Sequence, residues 1–233
     1  MSIDGSVTDV PDSEENDAFF GRPSNQSRDG AFPQVRWVAA AGSGTGSLLG
    51  AAMGPYRTAE QPLAEDLLHC FGPGMVVLAD RKFLSWSLAR AFLATGAHIL
   101  WRASASFTLK PVKVLPDGTY LAELKPPRKS DGPVITVRVI EYTVHTAADD
   151  GTVESSEVFC LVTSLLDTEE YPALDLACCY PDRWGCEVGH HWHRSRRVGL
   201  SWLSFLLRPV TLRFGWCPAG AGVVAGRALP ALA

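Results

Sequence analysis

Asp4, Asp80 and Glu187 are the residues of this 233-residue chain best placed to do chemistry. Asp4 follows the strand-like Ser2-Ile3 and precedes Gly5. Asp80 ends a wholly apolar run, and Glu187 closes a helix-like stretch four residues after Arg183. A carboxylate at the end of a buried strand is disfavoured unless a partner or a cation compensates it. A hard divalent cation would do so, and two such ions on a few carboxylates can activate water and stabilise the leaving oxygen in phosphodiester cleavage. The same residues admit a plainer reading. Asp80 could be the N-cap of a helix beginning near Phe83, and Glu187 could pair with Arg183 at i, i+4.

A second constellation, Cys178, Cys179, Cys186, His190, His191 and His193, offers the soft and borderline donors that zinc prefers. Its spacing matches no common finger, and adjacent cysteines on a helix point in different directions. The six cysteines form no CxxC pair and read as reduced, mostly buried thiols. Charge is split along the chain. All 25 Asp and Glu lie at or before Glu187, whereas residues 188–233 carry six Arg, no Lys and no acid, so the formal charge is −10 before that boundary and +6 after it. Such a tail could bind nucleic acid through its arginines, with Trp192, Trp202 and Trp216 stacking on bases. Its Arg, Ala, Gly, Pro and Trp bias and its lack of any amphipathic period also fit a shifted reading frame, and this is the expectation here.

The elements that must hold the acids follow from periodicity. Residues 2–10, 34–41 and 47–53 read as strands of an antiparallel meander, the last two joined by the glycine-rich turn 42–46, with 21–30 a polar loop. Residues 58–71 read as a helix with Thr58 and Gln61 at capping-box spacing, and 84–94 as a second helix. The runs 76–79 and 97–102 between and after them read as buried strands of parallel pairing. Residues 107–115, 119–124, 134–144 and 157–164 alternate apolar and polar and form an antiparallel block, after which 169–187 returns to helix, with Pro181 a break or kink. At 46% apolar residues the chain can bury a sizeable core. No apolar run is long enough to span a membrane and the start is acidic, so a cytoplasmic location is expected.

Taken in order, IDGS at 3–6, VPDS at 10–13, FPQVRWVA at 32–39, LGAAMGPYRTAE at 49–60, VVLADRKF at 76–83 and YPDRWGCE at 180–187 resemble an insertion-sequence transposase of the DDE type, IS4 group. In that family the first Asp lies in an Asp-Gly-Thr/Ser strand and the second in a strand running into Asp-Arg-Gly-Phe. The Glu lies in a Tyr-x-x-Arg-x-x-x-Glu-x6-Lys helix. Tyr180, Arg183 and Glu187 match that spacing, and Arg194 stands where the Lys is expected; Lys82 replaces the Gly.

The resemblance implies a mixed α/β fold: an RNase H-like core whose sheet is flanked by helices, with an inserted antiparallel β-rich subdomain. The implied division is 1–104 for the first part of the core, 105–165 for the insertion, 166–187 for the helix completing the core, and 188–233 for a divergent basic tail, frameshifted or poorly ordered. It implies that Asp4, Asp80 and Glu187 are both catalytic and metal-holding, with Mg²⁺ as cofactor, Mn²⁺ able to substitute, and two ions in an intact site with DNA. Tyr180, Arg183 and Arg194 would contact DNA. The implied partners are double-stranded DNA, as transposon ends and target, and a second copy in a homodimer, with no membrane and with nucleoid association when DNA is bound. The chain begins three residues before Asp4 and leaves the pattern after Glu187, so a truncated or inactive copy is expected. A non-catalytic protein that binds nucleic acid or zinc stays open as the alternative.

Overall fold

A carboxylate can be aimed only by a strand whose own register is fixed, and eight consecutive pairs between Ser2–Asp9 (β1) and Gln34–Ala41 (β4) fix this one. The computed structural model describes residues 1–25, 28–29, 32–104, 107–147, 153–183 and 210–213. Between β1 and β4 lie a helix, Glu14–Phe20 (α1), and a two-residue hairpin, Ser24–Asn25 (β2) with Arg28–Asp29 (β3). Both were unexpected. Ser13 caps α1 by accepting from Asn16 N at 3.3 Å, and Glu14, Glu15 and Asp17 sit in the first turn, where the helix dipole favours them.

Leu48–Pro55 (β5) completes the antiparallel meander on β4. Glu60–Glu65 (α2) then packs on β4 and β5, followed by a 3₁₀ turn at Leu68–Cys70. The capping box expected at Thr58 and Gln61 does not form. The Thr58 amide is already bonded to the Pro55 carbonyl at 2.9 Å, and Gln61 Nε2 donates instead to the Lys82 carbonyl at 2.9 Å. The helix therefore starts at Glu60, with Pro62 in its first turn, where a missing N–H is harmless.

Val76–Ala79 (β6) lies parallel to β1, and His98–Arg102 (β7) lies parallel to β6, with Trp86–Ala94 (α3) as the crossover. Ser85 is the cap of α3, accepting from Leu88 N at 3.3 Å, so Asp80 is not a helix cap. Gly96 at φ +85° turns the chain from α3 into β7, a conformation a side chain disfavours. Pro111–Val114 (β8), Tyr120–Leu124 (β9), Ile135–Ala147 (β10) and Val153–Thr163 (β11) extend the sheet beyond β7, with β11 antiparallel to it. The order is β5-β4-β1-β6-β7-β11-β10-β9-β8, and Val210–Arg213 (β12) pairs antiparallel with β10. The result is the mixed α/β, RNase H-like sheet that was expected.

Each face of this sheet has its own core. Ile3, Val38, Val77, Ala79, Ile99 and Trp101 face α2 and α3, where Phe92 meets Phe71 at 5.0 Å and Trp101 edge-on at 5.4 Å. Leu78, Leu100, Ile140, Tyr142 and Leu161 face the helix Ala173–Cys179 (α4). Each large apolar side chain buried this way stabilises the fold by about 1.5–3 kcal/mol. α4 starts after Pro172, with no side-chain cap, and gives way to a 3₁₀ turn at Tyr180–Arg183, the break expected at Pro181. Of the described cysteines, Cys70, Cys160 and Cys179 are half-buried and Cys178 is exposed; all four are free thiols, so the expected burial is incomplete.

Candidate functional site

Ser2 pairs with Leu78 in the parallel β1–β6 ladder, so Asp4 and Asp80, each two residues further on, stand at one level along adjacent chains. Side chains alternate along a strand, which puts Asp4 on the face of Ser2 and Leu78, the face covered by α4. Asp80 follows the last residue of β6, and its carboxylate accepts from the amide of Arg81. The apolar run that identified β6 thus ends at a carboxylate one residue beyond the sheet.

The 3₁₀ turn after α4 supplies the other side of the site. Tyr180 is 2% exposed, and its hydroxyl donates to the Ala79 carbonyl at 3.2 Å, tying the turn to the residue before Asp80. Its ring lies edge-on to Phe159 at 6.3 Å. Burial, opposed by Arg183 and reinforced by the nearby Asp80 charge, pushes the phenol up to about 12. Arg183 is buried as well; its Nη1 is 3.6 Å from Asp4 Oδ1, and its guanidinium lies 5.8 Å from the Tyr180 ring centre. Four expected site residues, Asp4, Asp80, Tyr180 and Arg183, therefore converge where β1, β6 and the 3₁₀ turn meet. Glu187 and Arg194 lie outside the described residues.

Two charged residues absent from the sequence reading help to build this edge. Glu60, on α2, has a side chain only 8% exposed, and its Oε1 accepts from Arg36 Nη1 at 2.9 Å and lies 3.4 Å from Lys82 Nζ. It packs on Gly5: a Cβ there would fall 2.7 Å from Glu60 Cδ. The glycine beside Asp4 was the available signal, since a glycine within a strand often marks close approach by another group. The second residue is Arg138 on β10, fully buried. Its Nε donates to Thr119 Oγ1 at 2.9 Å, Nη2 to Asp117 Oδ2 at 2.5 Å, and Nη1 to the Tyr171 carbonyl at 2.6 Å. It joins the β8–β9 turn to the segment leading into α4, and so fixes the helix that delivers Tyr180 and Arg183.

The donors fit a hard cation. Asp4 is half-sheltered at 15% exposure, and Asp80 offers a second carboxylate at the same level, both oxygen ligands. Among the described residues no three His, Cys, Asp or Glu cluster as a metal site. Of the residues considered for zinc, Cys178 is exposed while Cys179 packs against the α4-side core; Cys186, His190, His191 and His193 lie outside the described residues. No helix among the described residues is long and apolar enough to cross a membrane.

Residues 1–206 match the family of the transposase DDE domain. The chain is 28% identical over 200 residues to the transposase InsG for insertion sequence element IS4 of Escherichia coli K12, an alignment covering 82% of this chain and 42% of that protein. It is 31% identical over 102 residues to the putative transposase InsZ of the same organism, covering 43% of this chain and 34% of that protein. The chain thus spans less than half the length of the curated relatives it matches. The chain belongs to the DDE transposase family.

Proposed function

We propose that this chain is the catalytic core of a DNA transposase in which Asp4, Asp80 and Glu187 hold divalent metal, Mg²⁺ with Mn²⁺ able to substitute. The observation that supports this most is the β1–β6 register, which sets Asp4 level with Asp80 on the side where Arg183 enters. Metal bound there would supply activated water and charge stabilisation for phosphodiester cleavage and for strand transfer by the freed 3′-hydroxyl. The chain's own residues do the positioning. Arg183 holds Asp4 in place, its charge balancing the carboxylate in a sheltered position. Tyr180, protonated at any physiological pH, fixes the end of β6 through the Ala79 carbonyl and so aims Asp80. On binding double-stranded DNA, Arg183 shifts part of its bonding to a backbone phosphate, for which a guanidinium fork is suited, with Tyr180 beneath it and Arg194 further along.

In this reading residues 1–104 and 166–187 form the core, 105–165 an insertion that supports it, and 188–233 a divergent basic tail. The family's partners would be transposon ends, target DNA and a second copy of the chain, with the protein on the nucleoid when DNA is bound. The test is cleavage of an end-labelled duplex carrying the element's terminal repeat, with Mg²⁺ or Mn²⁺. Cleavage that Asp80→Ala abolishes supports an active core. A folded chain that binds the duplex and Mn²⁺ but cuts nothing supports an inactive remnant. A folded chain that binds neither overturns the reading.

A further inference from the structure

Behind the sheet from Asp4, on the face of β1 that carries Gly5, an open pocket of about 500 Å³ surrounds Glu60. Arg36, Arg57 and Lys82 line it, together with Tyr56 and Thr58. Three cations face one carboxylate, so the pocket keeps an excess of positive charge after every ion pair is counted. Arg36 is fixed twice, by Nε on the Tyr56 carbonyl at 3.0 Å and by Nη1 on Glu60 at 2.9 Å, and its guanidinium lies 5.6 Å from the centre of the Tyr56 ring. Its Nη2 has no hydrogen-bond partner among the described residues, and the exposed Arg57 has no ion-pair partner among them. Lys82, 65% exposed at its side chain, is two residues past Asp80, so one short loop borders both this pocket and the carboxylate pair.

One fixed and one exposed guanidinium, an exposed ammonium and a hydroxyl around an open cleft form a site for a phosphate oxyanion. An open cleft suits a phosphate within a polymer better than a small, enclosed ion. We propose that this pocket holds a backbone phosphate of the DNA strand that passes the Asp80–Lys82 loop, outside the scissile position, with Glu60 as the buried anion that orients Arg36 and limits the pocket's charge. The proposal rests on the transposase reading above.

The test uses the full chain and a fluorescein-labelled duplex of about 20 base pairs, with affinity measured by anisotropy over a range of salt concentrations. Each phosphate contact contributes about 0.9 to the slope of log K against log salt. The double variant Arg57→Ala/Lys82→Ala removes two exposed side chains and leaves Arg36 on Glu60. It should lower the slope by about 1.8 and weaken binding by roughly 60-fold near 0.1 M salt. The variant Lys110→Ala/Lys113→Ala, exposed beside and on β8, should lose neither. Glu60→Gln keeps the shape and removes the opposing charge, so it should tighten binding several-fold, a change that a purely structural role for Glu60 would not produce. An unchanged slope in the double variant overturns the subsite while leaving the transposase reading standing. Absence of any duplex binding by the native chain overturns both. Thermal stabilisation by millimolar inorganic phosphate that the double variant loses, with no effect on the DNA slope, assigns the pocket to free phosphate and overturns the role in strand binding.

Discussion

The inner half of the sheet, β5-β4-β1-β6-β7, and its outer half, β11-β10-β9-β8, handle charge in opposite ways. In the outer half Arg138 is wholly buried, and its Nε, Nη1 and Nη2 each donate to a fixed oxygen of Thr119, Tyr171 or Asp117. In the inner half each buried charge meets a partly exposed partner: Arg183 against Asp4 at 3.6 Å, and Glu60 against Arg36 and Lys82. A charge whose hydrogen bonds are complete inside the protein can only hold structure. A charge pair at a partly open edge can exchange its partner for a ligand at little cost, because water and the ligand can both replace what is given up. The outer half is therefore a brace, and in the function proposed above the inner half is an exchange surface.

Breaking the brace should have the largest effect. Arg138→Met leaves Asp117 and the Tyr171 carbonyl without their donor, and a loss of about 3 kcal/mol is expected in urea unfolding. A loss under about 1 kcal/mol would mean that the network contributes no more than a surface ion pair and would end the contrast.

Next comes Tyr180. Its phenol is pushed up to about 12 in the fold from an ordinary value of 10.0, so the neutral form is favoured when folded. The resulting stability is fully present below pH 10 and is lost as pH rises through 12, by about 2 kcal/mol across that window. Tyr180→Phe should remove this part of the alkaline slope and lower stability at pH 7 by about 1 kcal/mol, for the lost bond to Ala79. An unchanged alkaline slope would show that Tyr180 is not sheltered as described.

A smaller effect is expected from Asp4→Asn, at most about 1 kcal/mol without metal, since the pair at 3.6 Å is long and partly open. The functional consequence should be disproportionate: Mg²⁺ or Mn²⁺ should raise the Tm of the native chain and not that of Asp4→Asn. Equal shifts in the two would remove Asp4 from the metal site.

Smallest is Asp167, an exposed turn residue whose carboxylate accepts from the amides of Glu170 and Glu169, which together hold its pKa below the usual value. A depressed carboxylate contributes stability above its unfolded pKa and loses it as pH falls through the folded one. The small Tm deficit of Asp167→Asn at pH 7 should therefore shrink as pH falls below the ordinary carboxylate range. A deficit that persists there would point to side-chain shape instead of charge.

Elements with a clean period are legible in the sequence. β6 and β7 appear as short apolar runs because both faces of these strands are buried, and β9 to β11 alternate because they form the antiparallel block. α1 was missed because none of its seven residues is buried, so it carries no amphipathic stripe, although Ser13 and the acids after it were a usable start signal. The failed capping box at Thr58 shows the converse: the spacing was right, but a turn had already taken the amide it required.

The sequence by itself determined the order of the longer strands and of α2 to α4, the break at Pro181, the positions of Asp4 and Asp80 relative to their strands, and the family. All of these are written in neighbouring residues or in the order of short motifs. Only the tertiary structure decided that Asp4 stands level with Asp80, that Arg183 reaches Asp4, that Glu60 lies on Gly5, and that Arg138 ties the outer strands to the approach to α4. Each of these joins residues far apart in the chain through a strand register or an ion pair. Such contacts have no period and no local composition to announce them; they exist only once the sheet has chosen its neighbours.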